Sequence, residues 1–138
     1  IFAAFCVSLN ANQQVFAAKA KKMTQEEFTQ LSNNIAFLTK KIYANGLFSP
    51  KDNETIIDAK EKLDTALLGG GGKYDLAQAY YKLAYVYRNR EYRDDAIECY
   101  QTILENFQES PYYLKSVNEL KKMGVKVASP TEESASEN

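Results

Sequence analysis

The sequence contains no histidine and no tryptophan, and it has only two cysteines among its 138 residues. Without histidine, the chain cannot form a Ser-His-Asp or Cys-His catalytic pair, a histidine-ligated zinc site or an imidazole general base. Its 17 basic and 18 acidic residues nearly cancel, so it lacks the positive field that holds nucleic acid. We therefore predict a protein that is not an enzyme, needs no metal or other cofactor, and does not bind nucleic acid.

Long apolar runs are also scarce, and the only marked one lies at the N-terminus. Residues 1–9 are almost wholly apolar, but polar amides interrupt the run at 10–14, well short of the roughly 20 residues of a membrane span. Small residues at Ala17, Ala18 and Ala20 follow, as at the cleavage site of a secretory signal peptide. We expect residues 1–20 to be a truncated signal peptide or leader and predict no stable membrane span.

Two other interpretations of this segment stay open. It could form an amphipathic helix packed on the domain. A lipoprotein leader would need a small residue before Cys6, where Phe5 stands. Loss of the leader would leave Cys99 as a single cysteine in a helical apolar pattern, which predicts a buried and unreactive thiol.

The C-terminal residues 128–138 are rich in serine, glutamate and alanine and contain no large apolar side chain. Such a segment cannot bury enough surface to offset the entropy lost on ordering. We predict a disordered acidic tail there and a helical domain over residues 24–127.

Capping signals and apolar periodicity predict the first two helices of that domain. Thr24 and Glu27 form a capping box before a helix over 25–43, which ends at Asn45-Gly46. Ser49 and Pro50 begin a second helix that stops at Gly69. The apolar faces comprise Phe28, Leu31, Ile35, Leu38 and Ile42 in the first helix and Ile56, Ala59, Leu63, Ala66 and Leu67 in the second.

Three further helices are predicted over 75–90, 93–107 and 111–123. In the last one Ser110 is the expected cap, Pro111 takes the first position, and Leu114, Val117 and Leu120 are expected to face inward. No stretch alternates polar and apolar residues long enough for a strand, so the predicted fold class is all-α.

The glycine run at 69–72, followed by Lys73, superficially suggests a phosphate-binding loop. That motif requires a glycine at position 67 and a serine or threonine at 74, but Leu67 and Tyr74 stand there, and no strand precedes the run. The glycines are better explained as a helix stop and a flexible link.

The most specific pattern lies in the third and fourth helices. A large aromatic, a leucine, a small residue and a tyrosine are followed by alanine and tyrosine on the next helix. These residues are Tyr80, Leu83, Ala84, Tyr87, Ala96 and Tyr100. Their spacing resembles a tetratricopeptide repeat, in which small residues let two helices cross closely while large ones fill the surrounding core.

The resemblance is strong over residues 76–111, and the phrase LENFQESPYY is similar to repeats of bacterial envelope proteins. It implies antiparallel helix pairs of a short α-solenoid, with one degenerate repeat, one good repeat and a C-terminal capping helix. Glu91 departs from the pattern, since a small residue usually precedes the second helix. Together with the leader, the resemblance implies export to the periplasm or cell envelope of a bacterium.

In the resembled family, the first helix of each repeat lines a concave groove that holds a protein or peptide. Carried over to this sequence, the partner-binding positions are Gln78, Tyr81, Tyr85, Arg88 and Asn89. Tyrosine and arginine are frequent in binding hot spots. The alternative is that these rings pack against the fifth helix or the N-terminal segment.

The resemblance thus implies a scaffold that binds a protein or peptide, with homo- or hetero-oligomers allowed. The main alternative is a structural subunit of an envelope-associated assembly that associates with copies of itself. A remote alternative is a small hydrolase or metal-binding protein, based on the acidic cluster of Glu91, Asp94, Asp95 and Glu98. We expect that cluster to be an ordinary solvated surface.

Overall fold

Five α-helices make up the secondary structure of residues 22–127, the part of the chain that the computed structural model describes. They are α1 (Gln25–Tyr43), α2 (Pro50–Leu68), α3 (Leu76–Asn89), α4 (Arg93–Asn106) and α5 (Tyr112–Lys122). No strand occurs among these residues, so the prediction of an all-α fold is confirmed. The predicted leader (1–20) and tail (128–138) lie outside the described residues.

The capping box predicted at Thr24 is present, and the predicted cap Ser49 also takes part in a capping box. Thr24 accepts a hydrogen bond from the Glu27 amide, and the Glu27 carboxylate accepts one from the Thr24 amide. Ser49 and Asp52 pair in the same way at α2. Asp52 also accepts a 2.6 Å hydrogen bond from Nζ of Lys41 in α1, so the same carboxylate caps α2 and joins the two helices.

The later helices begin slightly differently from the prediction. Asp75 is the cap of α3 and accepts a hydrogen bond from the Gln78 amide, a role that the sequence analysis missed. The last helix begins at Tyr112 and not at Pro111. Ser110 still accepts a 3.2 Å hydrogen bond from the Tyr112 amide, so its side chain satisfies a backbone donor at that end.

The helices form two layers. In one, α3 lies between α1 and α5 and contacts both, and in the other α2 and α4 each pack on α3. Tyr80 near the start of α3 contacts Phe107 just after α4, with 6.5 Å between ring centroids, while Tyr87 near the end of α3 contacts Tyr92 just before α4. These contacts make α3 and α4 an antiparallel pair.

The core lies between the layers and contains all six residues of the repeat-like pattern. Ala84 and Ala96 are fully buried and leave room for close approach of neighbouring helices, while the four larger side chains fill the space around them. The six are Tyr80, Leu83, Ala84, Tyr87, Ala96 and Tyr100, and none is more than 5% exposed. The predicted burial of Cys99 is also confirmed, and burial raises the pKa of its thiol.

The prediction that Leu114 faces inward is wrong, because its side chain is 68% exposed. The buried face of α5 consists of Ser116, Val117 and Leu120. At 100° per residue, the fully buried Ser116 shifts the centre of this face away from Leu114. The buried face of the helix therefore includes a polar residue, which hydrophobic spacing could not identify.

The turn between α3 and α4 takes only three residues. Its middle residue, Glu91, has φ +63°, in the left-handed region that favours glycine. Glu91, the residue that departs from the repeat pattern, therefore has a backbone conformation that glycine adopts more readily.

Candidate functional site: a tyrosine-lined groove

A groove of about 750 Å³ runs along the layer formed by α1, α3 and α5. Four of the five residues expected to bind a partner line it, namely Tyr81, Tyr85, Arg88 and Asn89. The other lining residues are Ala36, Thr39, Lys40, Tyr43, Lys82, Tyr100 and Glu119. The periodicity of α3 brings Tyr81, Tyr85 and Arg88 to one face of that helix.

Tyr81 forms the inner part of the groove and is half-buried. Its ring lies 5.7 Å from that of Tyr100, in an edge-on arrangement, and 5.3 Å from that of Tyr112 in α5, measured between centroids. Burial raises the pKa of Tyr81, and the nearby Glu119 carboxylate adds to the shift. Tyr81 thus lines the groove and also packs against the fifth helix, as one of the two interpretations expected.

Tyr85 forms the outer part, together with Tyr43 of α1. The two ring centroids are 5.8 Å apart, and Tyr43 is 74% exposed, so its ring is accessible to a ligand. Burial raises the pKa of Tyr85, as does a hydrogen bond with the Tyr43 hydroxyl. The Tyr85 phenol therefore stays neutral at physiological pH, and both hydroxyls can donate as well as accept hydrogen bonds.

An ion-pair cluster forms one end of the groove. Arg88 pairs with Glu119 of α5, and Nζ of Lys122 lies 3.0 Å from the same carboxylate. Asn89 donates a 2.8 Å hydrogen bond to the Tyr85 carbonyl. The guanidinium is therefore held in place before any ligand arrives.

Gln78 is the expected partner-binding residue that does not line the groove. Its side-chain amide donates a 2.8 Å hydrogen bond to the Tyr112 hydroxyl, which ties α3 to α5. This contact leaves Gln78 with a role in joining the two helices at the edge of the site.

The sequence analysis missed the contribution of α1, above all Lys40 and Tyr43. They lie three residues apart, outside the buried stripe of Leu31, Ile35 and Leu38. Exposed residues at helical spacing near the end of a helix are a weak signal, and only the packing of α1 beside α3 shows that they share a groove. Lys82 of α3 was missed in the same way.

The groove carries unpaired positive charge. Lys40 and Lys82 are exposed, and neither forms an ion pair with any residue between 22 and 127. Among the lining residues that the structure describes, Glu119 has the only carboxylate, and Arg88 and Lys122 already share it. The site therefore combines four tyrosines with a surplus of cations.

Charge is distributed unequally over the two layers. Helices α1, α3 and α5 contain seven basic and three acidic residues, whereas α2 and α4 contain four basic and nine acidic residues. The groove lies on the basic layer. The net charge of −1 conceals this separation.

The arrangement is suited to binding. No group of three or more cysteine, aspartate or glutamate side chains is placed to hold a metal ion within the described part of the chain. The helices that the structure describes include none long and apolar enough to cross a membrane.

In comparisons with known proteins, no family model, curated protein or solved structure matches this chain.

Proposed function

We propose that this protein is a non-enzymatic interaction module of the tetratricopeptide type, which binds a protein or peptide partner in the tyrosine-lined groove. The observation that carries the proposal is the groove itself, in which an accessible pair of rings, Tyr43 and Tyr85, stands beside a fixed arginine, Arg88. The repeat-like core residues and their burial support the assignment to this type.

Physical chemistry favours binding at this surface. Tyrosine buries a large area at a low cost in side-chain entropy and still offers a hydroxyl for hydrogen bonding. Tyrosine and arginine account for much of the energy in protein interfaces. Because Tyr81 is held by two neighbouring rings and Arg88 by Glu119, little further ordering is needed when a partner binds.

Export to a bacterial periplasm or cell envelope is part of the proposal. It depends on the leader-like composition of residues 1–20 and on the similarity of the 104–113 segment to envelope repeats. We test it by expressing the gene from its native start codon in a bacterium and fractionating the cells, with the leader-like segment deleted as the control. Retention of the product of the native gene in the cytoplasm would contradict export.

The groove is tested by alanine substitutions measured against a purified partner, first identified by affinity capture on the full chain and mass spectrometry. We expect Tyr85→Ala to weaken binding about 30-fold, equivalent to about 2 kcal/mol of hot-spot energy. Tyr43→Ala should act in the same direction. Titration calorimetry gives the affinities, and circular dichroism checks that each variant is folded.

Phe37→Ala is the matched control. Phe37 is an aromatic residue on the same helix as Tyr43 and is 53% exposed, but it does not line the groove. Its removal should leave the affinity unchanged. Equal affinities for the wild type and a folded Tyr85→Ala variant would refute the groove as the binding site.

Exposed apolar side chains favour a second candidate function, a self-associating structural subunit of an envelope assembly. Leu47, Leu68 and Leu114 are 93%, 79% and 68% exposed. Terminal helices of a repeat array usually present a polar outer face, so Leu114 on the last described helix is a candidate contact between copies. Light scattering after size exclusion tests this, and a monomer at every concentration would exclude it.

A further inference from the structure

We propose that the acidic segment 128–138 of the same chain occupies the groove when no partner is bound, so that a partner must displace it. This inference concerns regulation of the site and rests on the function proposed above. It starts from Lys40 and Lys82, which have no ion-pair partner within residues 22–127, and from a groove whose only carboxylate in that range is already engaged.

The segment has the complementary charge. Its only charged side chains are Glu132, Glu133 and Glu137, and it contains no lysine or arginine. The other layer of the molecule, with nine acidic residues on α2 and α4, would repel it. Electrostatics therefore favours contact of the segment with the basic layer, which carries the groove, over contact with the opposite face.

The attachment point and the length of the segment allow this. Val127 is half-buried against the core, and α5, which ends five residues earlier, supplies Glu119 to the groove. Eleven extended residues reach about 36 Å. The groove residues on α3 extend over only about 12 Å of helix, at 1.5 Å per residue.

The composition of the segment predicts weak and reversible occupancy. Pro130 is the bulkiest apolar residue in it, and small alanines and serines provide the rest of its contact surface. Exposed ion pairs contribute little individually, but a tether raises the effective concentration to the millimolar range. We expect the segment to weaken partner binding about 2- to 10-fold, and a partner with a large apolar side chain to displace it.

The test measures contact between segment and groove directly, without a partner. The full chain is prepared with Cys6→Ser and Ser134→Cys and is spin-labelled at position 134. Cys99 is fully buried and remains unlabelled. Paramagnetic broadening of backbone amide signals in NMR spectra then reports which residues approach the label.

We expect broadening at Lys40, Lys82 and Tyr85 and none at Ile57 on α2. The broadening should disappear at about 1 M salt, where the screening length is about 3 Å. It should also disappear in the variant with Glu132→Gln, Glu133→Gln and Glu137→Gln. The matched control, Glu54→Gln with Glu61→Gln and Glu105→Gln, removes the same charge from exposed sites on α2 and α4 and should keep the broadening.

The remaining outcomes overturn the inference. Absence of groove broadening, or equal broadening at Ile57, shows that the segment does not select the groove. A mixed sample combines an isotope-labelled chain that carries no spin label with a spin-labelled chain of natural isotopic composition. Broadening of groove signals in that sample shows that the occupant comes from a second copy. In either case, the affinity of Tyr85→Ala for a partner still decides the proposed function separately.

Discussion

The layer of α1, α3 and α5 and the layer of α2 and α4 differ in both charge and packing. The first has a surplus of basic residues and carries the groove, whereas the second has a surplus of acidic residues. The helices of the first layer also contact one another through α3, but no Cα of α2 lies within 8 Å of α4. The groove thus lies on the more closely packed side of the described helices.

The acidic layer is joined through a polar cluster. Nζ of Lys60 in α2 lies 2.8 Å from Asp64 and 3.0 Å from Glu98 of α4, while the hydroxyl of Tyr80 in α3 donates to Asp64 at 2.7 Å. Burial acts to lower the pKa of Lys60, but hydrogen bonds with the two carboxylates outweigh it and raise that pKa. The charge of Lys60 is thus paired with carboxylates of the protein itself, whereas the charges of Lys40 and Lys82 have no such partner within residues 22–127.

The largest expected effect comes from the core that both layers share. Leu83 is fully buried, and we expect Leu83→Ala to lower the free energy of unfolding by about 3 kcal/mol through lost burial and the resulting cavity. Urea denaturation followed by circular dichroism measures the change. Leu114→Ala makes the same chemical change at an exposed site and should cost little. Similar costs for the two variants would contradict the observed orientation of α5.

A smaller effect tests the link between α3 and the acidic layer. We expect Tyr80→Phe to cost about 1 kcal/mol, because it removes the hydrogen bond to Asp64 and keeps the buried ring. Tyr87→Phe is the matched control, since its ring is equally part of the core. If Tyr80→Phe is as stable as the wild type in urea, the polar cluster does not hold the acidic layer in place.

The smallest expected effect is a change in how steeply the free energy of unfolding falls as the pH is lowered. It tests the junction of α1 and α2. The Lys41 ammonium and the Ser49 amide hold the pKa of Asp52 below its ordinary value. An unfolded aspartate titrates near pH 4. The ionised carboxylate therefore stabilises the fold above about pH 4, and this contribution is lost as the pH falls through the lower folded pKa.

We expect the wild type to lose stability below about pH 4 more steeply than Asp52→Asn does. Urea midpoints measured across the acid range give the slopes. Asp58→Asn, which removes a carboxylate from an ion pair with Lys62 within α2, controls for the general effect of acid. Parallel curves for the wild type and Asp52→Asn would show that Asp52 does not link the helices through its charge.

The sequence was sufficient to predict much of the fold because local signals agreed with one another. The capping boxes at Thr24 and Ser49 and the periodic apolar faces are encoded within a few residues of each other. The orientation of α5 was not predictable in this way. The orientation of α5 depends on tertiary contacts that bury Ser116, and no local sequence signal indicates that a serine will be buried.

The sequence predicted only the part of the candidate site that lies on α3. Tyr81, Tyr85 and Arg88 could be assigned from spacing on α3, with the resemblance indicating which face to consider. Tyr43 and Glu119 lie 42 residues before and 34 residues after Tyr85 in the chain, and nothing local relates them to it. Their role follows from tertiary packing of α1 and α5 on either side of α3.

The gap between α2 and α4 has a mechanical consequence. One lysine spans it, so bending that separates these two helices breaks one ion pair, whereas bending that separates α1 from α3 exposes apolar side chains and parts Tyr43 from Tyr85. We therefore expect the helices to separate more easily on the acidic side than across the groove.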